Sequence, residues 1–274
     1  MRIDEAATMD CLGHSKFRSG VMHNLDDVTR LPDDFDGRVR LFPLPELVLF
    51  PHAMQPLHIF EPRYCEMLAE SLQGDRLIAL ATLTGGLAAT ATSDPPIASN
   101  VCLGKIISHA EVEDDRHNIL LVGTRRAKIV EELEAGRPFR MAEVDVSEDV
   151  YPPSGAESRT GLKRELLEAF GEVIPSSANV QQNLHELMAG QMSLGPITDI
   201  ISYTLPFEVE DKLRLLSESD VDSRAAELVR LLRSGSVELH TVSSEELSSP
   251  DPSIGNSGSG DSDNERFPPP FSLN

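Results

Sequence analysis

The feature that most constrains the fold is the proline-rich stretch "LFPLPELVLFPHAMQPLHIFEPRY" at residues 41–64. Its apolar content is typical of a sheet, yet it carries five prolines. Proline lacks a backbone N–H and is excluded from central strands. We therefore expect this stretch to bend repeatedly, with no plain strand running through it.

The residues after this stretch predict one helix and then a sheet. "PRYCEMLAESLQ" is amphipathic, with Pro62 suited to the first turn. Its apolar face carries Tyr64, Met67, Leu68 and Leu72. Strands are predicted at 76–83, 101–112, 117–133 and 138–150, with "EDDR" and "EAGRP" as turns. Short strands with hairpin turns indicate an antiparallel sheet that closes or curls, so we expect residues 38–150 to form a small β-barrel with one inserted helix.

A second region begins after the linker-like "YPPSGAESRT" and is helical by its 3.6-residue spacing. Residues 151–235 are expected to form a helical subdomain, whose last helix is capped by Ser219 or Asp220 and ended by Gly235. Its predicted helices are "GLKRELLEAFGEVI", "VQQNLHELMAGQ", "PITDIISYTL", "VEDKLRLLSE" and "VDSRAAELVRLLRSG".

The two ends of the chain lack such patterns. Residues 1–37 are polar and acidic, and we expect a flexible lead. Residues 236–274 are rich in Ser, Gly, Pro and acidic side chains, which predicts a disordered acidic tail because little apolar area is available for burial. The predicted fold class is α+β: a β-barrel, a helical subdomain and a disordered C-terminal tail.

Charge and cysteine usage restrict the partners and the compartment. The formal net charge of −21 repels polyphosphate, so nucleic acid is a poor partner. No run of 18 apolar residues predicts a membrane span, so no membrane partner is expected. Three widely spaced cysteines (Cys11, Cys65 and Cys102) indicate buried thiols in a reducing compartment, and we expect a cytoplasmic protein.

Catalytic motifs are incomplete wherever they begin. Gly104-Lys105 is followed by Ile106 and lacks the first glycine of a phosphate-binding loop. His185-Glu186 resembles the start of a zinc helix, but Ala189 stands where the second histidine would be. Asp114-Asp115 lies in a predicted hairpin turn. We therefore expect no cofactor, no metal and no enzymatic activity.

Three blocks together resemble the substrate-binding N-terminal domain of the Lon protease family. They are "RLFPLPELVLFPHAMQPLHIFEPRY", "LGKIISHAEVEDDRHNILLVGTRRAKI" and "ITDIISYTLPFEVEDKLRLLSESDVDSRAAELVRLL", and the likeness covers roughly residues 38–235. The first block is the most specific. The resemblance implies a PUA-like pseudobarrel followed by a helical subdomain, with the prolines at bends and edges. Unlike full-length Lon, the helical region leads into the tail with no ATPase or Ser-Lys peptidase domain, as in stand-alone bacterial proteins of this type.

The resemblance implies a non-catalytic module that binds exposed apolar segments of unfolded or partner proteins. In protein quality control such a module is expected to act as a chaperone-like factor or as an adaptor for a separate protease. The candidate contact residues are Met54, Leu57, Ile59, Phe60 and Tyr64. Their competing interpretation is burial, since most such residues lie in cores. Arg63 is equally expected to pair with an acid, and the doublet Arg125-Arg126 to pair within the chain.

Two other functions remain open. One is a hydrolase or peptidase whose site forms only in three dimensions. The other is RNA binding, which PUA-like barrels elsewhere perform. RNA binding requires a basic stripe and aromatic platforms, whereas this chain has no tryptophan and 5% aromatic residues.

Overall fold

The computed structural model describes residues 30–85, 95–113, 116–174 and 192–235. These ranges contain six strands and five α-helices. The strands are β1 (Arg38–Leu44), β2 (Met54–Ile59), β3 (Leu77–Thr82), β4 (Asn100–Val112), β5 (Arg116–Leu133) and β6 (Met141–Ser147). The helices are α1 (Pro62–Gln73), α2 (Arg159–Val173), α3 (Leu194–Thr204), α4 (Val209–Ser217) and α5 (Val221–Arg233). The fold class is α+β, as predicted.

Five strands close into a barrel in the order β5-β4-β3-β1-β6, and β6 pairs back onto β5. The sixth strand, β2, pairs with β5 at the outer end of the sheet. The predicted antiparallel pairing is confirmed from β3 to β6. The first strand, β1, pairs antiparallel with β6 and parallel with β3, because β2 and α1 form a crossover connection between β1 and β3.

The prolines of the opening stretch occupy positions that need no sheet donor. The pairing between β1 and β6 ends at Arg40. Pro43 lies beyond that point, where β1 pairs with β3. Pro51 is in a turn, and Pro56 is in the edge strand β2. Pro62 begins α1. The stretch therefore forms two strands separated by a bend, which agrees with the prediction that it is not one strand.

Apolar side chains fill two regions on the two sides of the barrel wall. The smaller cluster consists of Val39, Leu41, Ala79, Ala81, Val101, Leu103, Ala127, Ala142 and Val144. Leu31 and Phe35, from the predicted lead, are packed against it. The larger cluster joins the opposite side of the wall to α1 and the C-terminal helices, and it includes Phe42, Ile78, Met67, Leu166, Ile201 and Leu228. The barrel and the helices thus share one core.

A network of two arginines and two aspartates, with no net charge, links the barrel to the helices. Asp199 of α3 is fully buried and contacts Arg126 of β5 and Arg224 of α5. Asp149, which follows β6, lies 3.0 Å from Arg126 Nη1 and 2.9 Å from Arg224 Nη2. Burial alone would lower the pKa of Arg126, but Asp199 and Asp149 hold that pKa above its ordinary value. We call these four residues the Arg–Asp network.

The start of β2 depends on a close approach between two backbone segments. A Cβ atom placed on Gly123 of β5 would lie 1.9 Å from the carbonyl oxygen of Phe50. Gly123 also donates to the carbonyl of Ala53 and accepts from the amide of His52, each at 2.8 Å. Because Gly123 has no side chain, the bend at residues 50–53 can pack directly against β5 just before Met54.

We expect Asp199→Ala to lower the free energy of unfolding by roughly 3–5 kcal/mol, because it leaves two buried guanidinium groups to share the single carboxylate of Asp149. Chemical denaturation followed by circular dichroism measures this. The control is Glu165→Ala, which removes an exposed ion pair with Arg233 and should cost about 1 kcal/mol or less. Equal losses for the two variants would contradict a stabilising role for the Arg–Asp network.

We expect Gly123→Ala to destabilise the protein by about 1–3 kcal/mol or more, because the new methyl group meets backbone that cannot rotate away. Gly104→Ala is the matched control on β4. Its Cβ would meet the Leu49 side chain at 3.2 Å, and a side chain can shift. The same denaturation experiment should give the smaller loss for Gly104→Ala, and the reverse order would refute the close-approach explanation.

Candidate functional site

The alternation of β2 sorts its side chains onto two faces of the sheet. Successive side chains of a strand point to opposite sides. Leu57 and Ile59 belong to the face that packs against the larger apolar cluster. Met54, Pro56 and His58 therefore lie on the other face, which we call the outer face.

The structure separates the five predicted contact residues. The side chains of Met54 and Phe60 are exposed, at 57% and 62%. Leu57 is half-buried, and Ile59 is buried at 1% exposure because of its strand parity. Tyr64 is on the buried face of α1, where its ring centroid lies 4.6 Å from that of Phe42. Only Met54 and Phe60 of the five offer a large exposed apolar side chain.

Neighbouring strands add apolar residues that the sequence interpretation missed. Pro56 lies directly opposite Leu120 of β5, and Leu120 is opposite Ser108 of β4. Ile107 follows the buried Ile106, so the alternation of β4 places it on this side, with 38% of its surface exposed. A register shift between Ile106 and Ser108 leaves Ile107 without a direct partner in the ladder. The adjacent pair Ile106-Ile107 was a weak signal in the sequence, since alternation buries only one of two neighbours on a strand. We call the surface formed by Met54, Pro56, Phe60, Ile107 and Leu120 the outer patch.

The orientation of Phe60 is supported by contacts on the same face. Its ring stacks on that of His58, with centroids 5.9 Å apart and an angle of 30° between the planes. His58 Nδ1 lies 2.8 Å from Asn118 Oδ1 on β5, directly across the ladder. The imidazole is thus held between β5 and Phe60, which keeps the phenyl ring beside the strand.

The backbone along the open edge of β2 is interrupted at Met54 and Pro56. The carbonyl of Met54 accepts a hydrogen bond from the Tyr203 hydroxyl at 3.2 Å. Pro56 has no N–H, and its carbonyl accepts from Gln55 Nε2 at 2.8 Å. An added strand needs a row of such groups. The edge therefore favours recognition through side chains of the outer patch over strand addition.

The charged residues singled out in the sequence pair within the chain. Arg63 Nη2 lies 2.9 Å from Glu61 Oε2, and the Arg63 guanidinium lies over the Tyr64 ring, 4.5 Å from its centroid. Arg125 pairs with Glu148 at 2.9 Å, and Arg126 belongs to the Arg–Asp network. The predicted intramolecular pairing of the doublet is confirmed.

Burial shifts the pKa values of three further side chains, Cys102, Tyr203 and Lys212. Burial raises the pKa of the Cys102 thiol, which keeps it protonated and unreactive. Burial also raises the pKa of Tyr203 and lowers that of Lys212, whose Nζ donates to the Tyr203 carbonyl at 3.2 Å.

Gly104 lies against Leu49 and Leu121 and serves packing. Asp114-Asp115 and His185-Glu186 lie outside the described residues.

The described ranges lack two further kinds of feature, a cluster of metal ligands and a membrane-spanning helix. No three metal-binding side chains converge there on one point. No helix in those ranges has the length and apolar character needed to cross a bilayer.

Two bacterial Lon proteases illustrate the sequence similarity of this chain. The Lon protease of Cytophaga hutchinsonii is 22% identical over 204 residues, which cover 73% of this chain and 24% of that protein. The Lon protease of Heliobacterium modesticaldum is 26% identical over 196 residues, which cover 70% of this chain and 23% of that protein. The chain thus spans about a quarter of the length of the curated relatives it matches.

Two solved structures match this chain. The N-terminal domain of the Mycobacterium avium complex Lon protease matches with a TM-score of 0.55 and 14% identity, covering 72% of this chain and 99% of that one. A Lon N-terminal domain protein from Xanthomonas campestris gives a TM-score of 0.48 at 21% identity, covering 70% and 97% of the two chains. At 14% identity, the similarity to the Mycobacterium avium complex domain shows a shared fold and nothing more.

The family comparison covers the barrel and the helices in one range. The model described as the ATP-dependent protease La (LON) substrate-binding domain matches residues 38–234. This range begins at β1 and ends just after α5. Because the match extends over well more than half of its residues, the chain belongs to the family of LON substrate-binding domains.

Proposed function

We propose that this chain is a non-catalytic cytoplasmic module that binds exposed apolar segments of unfolded proteins on the outer patch and serves protein quality control. The observation that carries the proposal is the outer patch itself. Met54 and Phe60 are each more than half exposed on a face whose neighbours Pro56, Ile107 and Leu120 are also apolar. Exposed apolar groups gathered on one surface mark interaction sites.

The composition of the outer patch suits varied partners. Methionine has a flexible, polarisable side chain that adapts to different surfaces. Phenylalanine supplies a large contact area at a small entropy loss, and the ring of Phe60 is already oriented by His58. Membership in a family of substrate-binding domains supports a polypeptide as the ligand.

The net charge supports a more specific occupant. The net charge of −21 attracts cations, so a segment that mixes apolar with basic residues is favoured over an acidic one. Such segments become accessible when a protein unfolds. A role as an adaptor for a separate protease is consistent with this ligand, and it is part of the proposal.

The alternative function is that of a hydrolase or peptidase, and it can be tested with the same purified protein. The family model that matches is that of a substrate-binding domain, which fits a protein without catalytic activity. Incubation with unfolded casein, with and without ATP, should leave the casein intact. If casein is cleaved and the cleavage activity co-purifies with this protein, the binding proposal is wrong and the hydrolase alternative is favoured.

We expect Phe60→Ala and Met54→Ala each to weaken binding of a fluorescent unfolded peptide about tenfold, as typical losses of 1–2 kcal/mol at central apolar contacts imply. The measurement is fluorescence anisotropy. Both side chains are exposed, so the variants should keep the unfolding midpoint of the parent.

Val130→Ala is the matched control for these variants. Val130 is 63% exposed on β5 but lies beyond the outer patch, opposite β6. It should leave peptide affinity unchanged. If Val130→Ala weakened binding as much as Phe60→Ala, the outer patch would not be the binding surface.

We also expect charge to determine peptide preference. Two peptides with the same apolar residues, one carrying lysines and the other glutamates, should differ chiefly in association rate, with the lysine peptide faster. Stopped-flow binding at low and high salt measures this, and the difference should shrink as salt rises. Faster binding of the glutamate peptide would contradict the proposed occupant.

A further inference from the structure

Two histidines meet on the hairpin formed by β4 and β5. His109 Nε2 lies 3.1 Å from His117 Nδ1, with ring centroids 5.2 Å apart. Two nitrogen ligands of one zinc ion lie about 2.9–3.4 Å apart when each Zn–N distance is near 2.05 Å and the N–Zn–N angle lies between the roughly 90° of square geometry and the roughly 109° of tetrahedral geometry. The two rings are therefore spaced as two ligands of one ion are.

The register of the hairpin places a carboxylate beside this pair. Glu111 lies directly opposite His117 in the ladder, and it shares the face of His109 because the two are two residues apart on β4. The face also carries Ile119, whereas Leu120 and Asn118 point to the outer face. The histidine pair is thus on the side of the hairpin opposite the outer patch.

The facing nitrogens are compatible with metal binding without loss of a proton. At this distance one ring donates its N–H to the other. A bound ion needs His109 to carry its proton on Nδ1 and His117 to carry its proton on Nε2. Both are ordinary neutral tautomers, so binding requires only that a proton move to the far side of one ring.

We propose that His109 and His117 together bind one divalent transition-metal ion of the Zn²⁺, Ni²⁺ or Cu²⁺ class, which ties β4 to β5 and keeps coordination positions open. No third side chain among the described residues already converges on the same point. Glu111 can rotate toward the ion from its place beside His117, and water fills the other positions. Imidazole is a preferred ligand of these metals.

The test is titration of the full-length chain with Zn²⁺ by isothermal calorimetry. The chain has eight histidines, so the site must be identified by variants. We expect His109→Ala and His117→Ala each to weaken one Zn²⁺ site by at least the roughly 10–100-fold that loss of even an outer-shell partner costs. Glu111→Gln should weaken the same site by a smaller factor.

His185→Asn is the control that removes one imidazole elsewhere in the sequence, and it should leave this site unchanged. A second measurement excludes misfolding as the cause. Zn²⁺ should raise the thermal midpoint of the parent, and the double variant at 109 and 117 should keep the metal-free midpoint but lose the rise. Unchanged Zn²⁺ affinity in the double variant, or no saturable Zn²⁺ binding by the parent, would overturn the proposal.

Discussion

Two aspartates and two arginines, enclosed where the barrel meets the helices, are the interaction on which the rest of the structure depends. Asp199 and Arg224 are fully buried, and Arg126 nearly so. Charges in such surroundings are tolerated only when they are paired and in the correct geometry. The Arg–Asp network therefore allows few relative positions of β5, α3 and α5, because any displacement would leave a buried charge without a partner.

This constraint reaches the candidate site through β5. The strand carries Arg126 at the helix junction, Gly123 under the bend before β2, and Leu120 in the outer patch. Tyr203 of α3 also donates to the carbonyl of Met54 at the start of β2. Fixing β5 and α3 thus fixes the edge strand, and the outer patch rests on a rigid support. A surface that binds varied segments benefits because little of it must become ordered on binding.

Local patterns predicted most of the elements, whereas pairing over long distances was only partly predictable. The amphipathic spacing predicted α1, and an acidic cap predicted the start of α5, where Asp220 accepts from the amides of Asp222 and Ser223. The parallel pairing of β1 with β3 depends on how the chain crosses over, which no residue pattern in either strand encodes. The partners of Asp199 lie 73 and 25 positions away and meet only in the fold.

The candidate site shows the same division. Residue type indicated Met54 and Phe60 as contacts, but only the alternation of β2 and the buried face of α1 separate them from Ile59 and Tyr64. Ile107 and Leu120 join the outer patch because strand alternation and the pairing of β2, β5 and β4 bring them there. Side-chain type indicated what the surface is made of, and pairing decided which residues belong to it.

Site-specific photo-crosslinking tests most directly whether the outer patch holds unfolded segments. A benzoylphenylalanine residue replaces Phe60 in one sample and Val130 in another, and each is irradiated with unfolded casein. We predict strong crosslinks to casein from position 60 and few from position 130, although both side chains are about equally exposed, at 62% and 63%. Equal crosslinking from the two positions, or crosslinks from position 130 alone, would contradict the central claim.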